Sequence, residues 1–234
     1  MIDRNRLRKM AESYQIAVSD MQLEQLDAYA GLLVEWNKVM NLTAITEPAE
    51  IEIKHFLDCM LAAKLCIDDD NIADVGTGAG FPGVVIKIMV PEVKMTLIDS
   101  LDKRLNFLYE VGSELGLKMN YIHTRAEDAG HLPELREQFT LATARAVASL
   151  NVLAEYCLPL MTVGGRLMAM KGRSASDEVS SAKAALEILG GKVTEEMEFT
   201  LPDGSERQII MIDKIYLTPE KYPRRPAAIK KKPL

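Results

Sequence analysis

An acid and three glycines set two residues apart are the first residues in this chain that could do chemistry. In NIADVGTGAGFPGVVI, Asn71 to Ile86, Asp74 precedes Gly76, Gly78 and Gly80, with Phe81 and Pro82 directly behind. Glycines at this spacing strip a turn of side chains, so that bare backbone N–H groups and a helix N-terminus can approach a polar ligand. The Asp74 carboxylate beside them suits a ligand that carries positive charge. A second acid, Asp99, closes the apolar run KMTLIDS just before Ser100. At a strand tip it can accept both hydroxyls of a ribose, although Asp99 or Ser100 could equally cap the helical pattern that follows. In HTRAEDAG, Ala126 and Glu127 offer a backbone N–H and a carboxylate to the edge of an adenine.

These residues need a frame that brings them to one edge. Apolar runs predict strands over 72–75, 94–99, 119–123, 140–145, 163–170, 192–199 and 207–216, separated by helical patterns around 83–90, 102–115, 150–161 and 175–189. Strands alternating with helices predict an α/β fold with a doubly wound, mostly parallel seven-stranded sheet, and ligands of such sheets bind outside the carboxyl ends of the strands. The glycine loop falls between the first strand and a helix that Pro82 introduces, which is where such a ligand is expected. Only LPDGSER separates the last two strands, and its Asp203-Gly204 turn predicts an antiparallel hairpin at the sheet edge. GRSASDEVSSAK, 172–183, reads as a polar approach to a helix.

Upstream, Leu23, Leu26, Tyr29, Leu33 and Trp36 recur at helical spacing, with Trp36 as a core anchor, and a second helix is predicted from Glu47-Pro48 through AEIEIKHFLDCMLAAKLC. The predicted organisation is an N-terminal helical extension over 1–65, a ligand-binding domain over 66–220 and a basic tail over 221–234. That tail, KYPRRPAAIKKKPL, holds six basic residues and no acid, whereas the rest of the chain carries 22 basic against 34 acidic residues. Contact with phosphates is its functional reading, and three prolines predict an extended rather than helical conformation.

Composition narrows the function classes. A chain of 234 residues, 48% hydrophobic, can bury a full core. No apolar run approaches the roughly 18 residues of a membrane span and the charged start MIDRNRLRKM is no signal peptide, so a cytosolic protein without a membrane partner is expected. Cys59, Cys66 and Cys157 form no C-x-x-C pair, and with only three histidines present neither a metal site nor a disulfide framework is predicted.

Two adenosine-containing ligands compete for the loop. The dinucleotide fingerprint G-x-G-x-x-G requires a third glycine where this chain has Phe81, which weighs against a nicotinamide-dependent oxidoreductase. The spacing D-x-G-x-G-x-G is that of S-adenosylmethionine-dependent methyltransferases with a Rossmann-like sheet. More specifically, WNKVMNLTAI, HFLDCML, DVGTGAGFPGVVI, TLIDSLDKRLNFL, TRAED, ATARAVASL, MKG and the ending KYPRRPAAIKKKPL resemble, in this order and over essentially the whole chain, the bacterial RsmG/GidB family. Cys59-Met60 and Ala227 or Ala228 depart from that family's pattern without touching the cofactor motifs.

The resemblance implies the class I S-adenosylmethionine-dependent methyltransferase fold and transfer of a methyl group to ring nitrogen 7 of a guanosine in 16S ribosomal RNA. The acceptor would be that RNA, the small ribosomal subunit or an assembly intermediate, and the enzyme a monomer. Asp74, Gly76, Gly78, Gly80, Phe81, Asp99, Ser100, Ala126, Glu127 and Arg145 are the expected cofactor-binding residues. Arg145 is also expected to hold guanine O6 or a phosphate, and Lys103, Arg104, Arg125, Lys171, Arg224 and Arg225 to meet the RNA. The chain lacks the Asn/Asp-Pro-Pro-aromatic loop of amine methylation and the cysteine of pyrimidine-carbon methylation after the fourth strand. Ring nitrogen 7 already exposes a lone pair, so no catalytic base is expected and proximity and field do the work. A catalytically silent nucleic-acid-binding module working through the tail is the remaining alternative.

Overall fold

Alternation of period two along each inner strand gives the sheet two apolar faces. In β1 (Asn71–Val75) Ile72 packs on one face and Ala73 and Val75 on the other; in β2 (Lys94–Asp99) Leu97 and Ile98 divide the same way. Strands apolar on both faces must be covered by helices on both. The computed structural model describes residues 1–173 and 175–234, so that Ser174, within the polar approach expected over 172–183, lies outside the described residues.

The other strands are β3 (Met119–His123), β4 (Phe139–Arg145), β5 (Met161–Lys171), β6 (Gly191–Thr200) and β7 (Glu206–Lys214). They form one seven-stranded sheet in the order β3-β2-β1-β4-β5-β7-β6. β1 to β5 pair in parallel, and β7 runs antiparallel between β5 and β6. The predicted hairpin therefore enters the sheet by its second strand. Because β7 is reversed, its amino end meets the carboxyl end of β5, with Gln208 opposite Lys171.

One face is covered by α1 (Arg4–Ser13), α2 (Asp20–Met40), α5 (Gly83–Met89) and α6 (Asp102–Leu115). On the other lie α7 (Ala126–Ala129), a short turn that periodicity does not predict, α8 (Leu150–Cys157) and α9 (Ala175–Leu189). α8 stops short of the predicted 161 because Pro159 falls in the 3-10 turn Leu158–Leu160, where the chain turns into β5. The helix predicted after Glu47-Pro48 is built in three parts: α3 (Pro48–Glu50), a π-helical stretch Ile51–Leu57 and α4 (Asp58–Ala63).

Residues 1–65 share their core with the sheet. Leu23, Tyr29, Leu33 and Phe56 belong to one buried cluster with Val84, Leu97, Phe107 and Leu108, and the Trp36 ring lies 5.7 Å from that of Phe107. A capping box of Ser19 and Gln22 starts α2, and the same Gln22 amide donates to the Ile88 and Met89 carbonyls at 3.0 and 3.1 Å, satisfying the last turn of α5. Against the prediction for the tail, Pro226 opens a short helix, α10 (Pro226–Lys231), at a position where its missing N–H costs nothing, and buries Ile229. The tail lies on α8: the Arg224 side chain and N–H meet Glu155, and the Asn151 amide donates to the Leu234 carbonyl.

Candidate active site

The strand order reverses at β1, from which the chain builds outward first through β2 and β3 and then through β4 and β5. Such a switch point opens a crevice at the carboxyl ends. Here it holds two adjoining cavities, of about 840 and 350 Å³, which share Gly76, Arg104, Ala146 and Val147 on their walls. The smaller one gathers Asp99, Ser100, Arg125, Ala126 and Glu127; the larger reaches from the glycine loop to Lys171 and Arg207.

Within the loop the glycines do different work. Gly78 has φ +59°, and a Cβ there would meet nothing closer than the Gly76 carbonyl at 3.9 Å, so its backbone stands open to the cleft. Gly80 (φ +96°) is a packing glycine: a Cβ would come within 2.6 Å of the Tyr29 hydroxyl and 2.7 Å of Leu108. It packs beneath the loop, where the Tyr29 hydroxyl donates to the Ala79 carbonyl from α2.

Asp74 likewise lies within the fold around the loop. It is fully buried; its Oδ2 accepts from Thr77 Oγ1 at 2.6 Å and from the Gly83 N–H at 3.0 Å, tying the loop to the start of α5. Among the described residues its Oδ1 has no partner, and burial, only partly offset by those two hydrogen bonds, pushes its pKa up to about 6.

Asp99 accepts from the Gly78 N–H at Oδ2 and the Leu101 N–H at Oδ1, both at 2.9 Å, and from Arg104 at 3.3 Å. α6 begins only at Asp102 with Leu101 at its N-cap, so neither Asp99 nor Ser100 is the cap. A carboxylate has about four acceptor sites, and three are taken. A paired contact to two hydroxyls therefore requires Arg104 to swing away.

The opposite wall is organised around Arg145 at the end of β4. Its Nη1 donates to the Lys54 carbonyl and to Asp58 Oδ2, each at 2.9 Å, and its Nη2 donates to His55 Nδ1 at 3.0 Å, while the guanidinium sits 5.0 Å from the centre of the Phe81 ring. The π-helical stretch makes this possible. The Asp58 N–H, which would seek the Lys54 carbonyl in an α-helix, reaches Ile53 and His55 instead.

With Nδ1 accepting, His55 donates through Nε2 to Thr43 Oγ1 at 3.0 Å. Its ring stacks on Phe81 at 4.2 Å, and burial together with the Arg145 charge lowers its pKa to about 3. Arg145 thus gives three of its five N–H donors to protein partners while lining the larger cavity. Phe81, expected at the cofactor, is 6% exposed between Tyr29 and His55. Lys54, His55 and Asp58 are absent from the expected site residues; HFLDCML enters only as part of a predicted helix and of the family resemblance, and its partner lies some 90 positions away.

The remaining basic residues divide. Lys171 donates to Glu178 and to the Ala148 carbonyl, both at 2.6 Å, on the wall of the larger cavity, and Arg224 is paired with the buried Glu155, so both brace the fold. Arg104 lines both cavities, exposed Arg125 lines the smaller, and exposed Lys103 lines neither. Arg225 is exposed beside α8, whose Ser149 and Tyr156 border the two cavities. Among the described residues no helix is long and apolar enough to cross a membrane, and no group of three or more His, Cys, Asp or Glu side chains gathers as a metal cage would.

A family model, GidB, described as rRNA small subunit methyltransferase G, matches residues 22–210. The "Ribosomal RNA small subunit methyltransferase G" of Alkaliphilus metalliredigens is 48% identical over 221 residues, covering 93% of this chain and 92% of the other. That of Lactobacillus johnsonii is 47% identical over 232 residues, covering 97% of each. Among solved structures, M. jannaschii TYW2 in complex with AdoMet superposes with a TM-score of 0.55 at 12% identity, over 68% of this chain and 75% of the other. A SAM-dependent O-methyltransferase from Thermotoga maritima gives 0.53 at 15% identity, over 80% and 73%. At such identity the likeness is one of fold, the Rossmann-like fold of class I S-adenosylmethionine-dependent methyltransferases.

Proposed function

The chain belongs to the GidB family of small-subunit rRNA methyltransferases, and from that premise we propose that it methylates ring nitrogen 7 of a guanosine in 16S rRNA, acting as a cytosolic monomer. It is an S-adenosylmethionine-dependent enzyme with rRNA as its substrate. The observation that carries the finer reading is the pair of joined cavities at the switch point, with Gly76 shared between them and the open Gly78 backbone on the wall of the larger.

The residues present fit the cofactor. When bound, S-adenosylmethionine supplies a methyl group on a positively charged sulfur. Asp99 and Ser100 would hold its ribose once Arg104 turns aside, Ala126 and Glu127 would meet the adenine edge, and the backbone from Gly76 to Ala79 would cradle the methionyl part. The buried Asp74, with one carboxylate oxygen unpartnered, favours a cationic ligand above the loop.

On the acceptor side the chain needs no base. His55 is held neutral with both ring nitrogens engaged, and the Arg145 clamp fixes the wall against which a purine can be oriented. Orientation of a lone pair towards the methyl group accounts for the rate through proximity and field. Exposed Lys103 and Arg225 would meet phosphates outside the cavities, and exposed Arg125 a phosphate at the smaller one. Incubation with labelled S-adenosylmethionine and either naked 16S rRNA or small-subunit particles, followed by mapping of the labelled nucleotide, tests the reading. Label on ring nitrogen 7 of one guanosine is expected; label on an exocyclic amine, a ribose or a pyrimidine would overturn it.

A further inference from the structure

A single buried carboxylate serves two arginines in the larger cavity. Asp58 Oδ2 takes Arg145 Nη1 at 2.9 Å, and Asp58 Oδ1 takes Arg207 Nε at 3.4 Å. The two guanidiniums differ in what they have left to give. Arg145 has both terminal nitrogens committed and stacks on Phe81. Arg207 makes one long contact to Asp58 and one hydrogen bond from Nη1 to the Glu206 carbonyl, and among the described residues its Nη2 has no hydrogen-bond partner. Its side chain is 25% exposed on the cavity wall.

Topology puts Arg207 there. A residue near the start of a strand would face the amino edge of a parallel sheet, but β7 runs against β5, so Glu206 to Gln208 rise beside Lys171 at the carboxyl edge. The order β4-β5-β7 sets the Arg207 backbone two strands beyond that of Arg145, roughly 10 Å across the sheet at the usual strand spacing, while the shared Asp58 carboxylate holds the two side chains closer. Arg207 and the glycine loop line the same cavity, so a nucleotide seated against the loop has Arg207 on its wall. A planar guanidinium with a free donor there is suited to phosphate oxygens.

We infer that Arg207 is a substrate-binding residue that grips a backbone phosphate of the methyl-accepting RNA strand, and that Asp58 positions it by tying it to the Arg145 clamp. The inference rests on the reading of this cleft as the rRNA methylation site. In that arrangement Asp58 sets the separation of two cations, one that shapes the wall and one that holds the strand.

The test measures S-adenosylmethionine affinity, methyl transfer to small-subunit particles and RNA affinity across a salt series for the wild type, Arg207→Gln and Arg207→Lys. Loss of a charge-assisted hydrogen bond should raise KM for the particles by roughly 10- to 100-fold in Arg207→Gln. Cofactor affinity and kcat at saturating particle should hold, and the log–log salt slope should flatten by roughly 0.7. Arg207→Lys should keep the slope and recover only part of the affinity, because it keeps the charge and loses the fork. In Arg207→Gln an unchanged KM, or a raised KM with an unchanged salt slope, would overturn the assignment, as would weakened cofactor binding in either variant. Should Arg207→Gln fail to fold by thermal melting, Arg207→Lys carries the KM arm of the test: a raised KM with cofactor affinity held is expected, and an unchanged KM would overturn the assignment. Absence of methyl transfer by the wild type would instead refute the reading of the cleft.

Discussion

Acid should unfasten the Arg145 clamp through His55, by an amount that the structure sets. In the fold its pKa is about 3, against 6.5 for an ordinary histidine, because the ring is buried and its Nδ1 accepts a hydrogen bond from a guanidinium. A depressed pKa contributes stability that is fully present above the unfolded value and is lost as pH falls towards the folded one. The window is therefore pH 6.5 down to about 3. At about 1.36 kcal/mol per pKa unit the whole effect is on the order of 5 kcal/mol, of which about 2 kcal/mol is lost between pH 7 and pH 5.

Urea denaturation of the wild type and of His55→Asn at those two pH values isolates this share, since other titrations are common to both proteins. Asparagine can offer its carbonyl to Arg145 and cannot take a proton, so the variant should be less stable at pH 7 and should fall by about 2 kcal/mol less on going to pH 5. Parallel loss in the two proteins would refute the reasoning, and so would a His55 ring that titrates near 6.5 by NMR.

Tyr29→Phe removes the donor to the buried Ala79 carbonyl, so a loss of about 1–3 kcal/mol in denaturation and weaker S-adenosylmethionine binding by calorimetry are expected together. Gly78→Val should fold, because a Cβ there meets open space, yet lose most cofactor affinity through the strain at φ +59° and the side chain standing in the cleft; normal calorimetric affinity would refute this. In the tail, Arg224→Ala leaves Glu155 buried without its partner and should cost about 3–5 kcal/mol by thermal or urea unfolding. By contrast, Arg225→Gln with Lys230→Gln should leave stability unchanged and flatten the salt slope of RNA binding by roughly 0.7 for each phosphate that is no longer neutralised.

The elements at the switch point were legible in the sequence because period and punctuation are local. Asp74, the glycine run, Asp99 and the strand ends fall where alternation and turn chemistry place them, and β2, β3 and α6 keep their predicted bounds. What side chains spend their hydrogen bonds on was not legible. Lys171 and Arg224 read as free cations until Glu178 and Glu155 are brought to them by helix packing. His55 and Asp58 look like the polar face of a helix until β4 delivers Arg145, and Arg207 looks like a turn-flanking charge until β7 inserts beside β5. Residues 1–65 read as an appendage because no local signal tells that Gln22 and Tyr29 will complete α5 and the glycine loop.

The π-helical stretch Ile51–Leu57 also fixes a reading frame in space. One residue more than an α-helical turn needs is threaded between Ile53 and Asp58, so a deletion of any one residue there would allow ordinary i to i−4 bonding and a locally better helix. Such a deletion would also turn everything upstream by about 100° relative to Asp58. Glu52, buried between the Asp3 N–H and the Arg6 guanidinium, could not then keep its contacts to α1 while Asp58 kept Arg145. Length in this segment is therefore under stricter control than residue identity, and a shortened chain would have to choose between seating its first helices and assembling its catalytic wall.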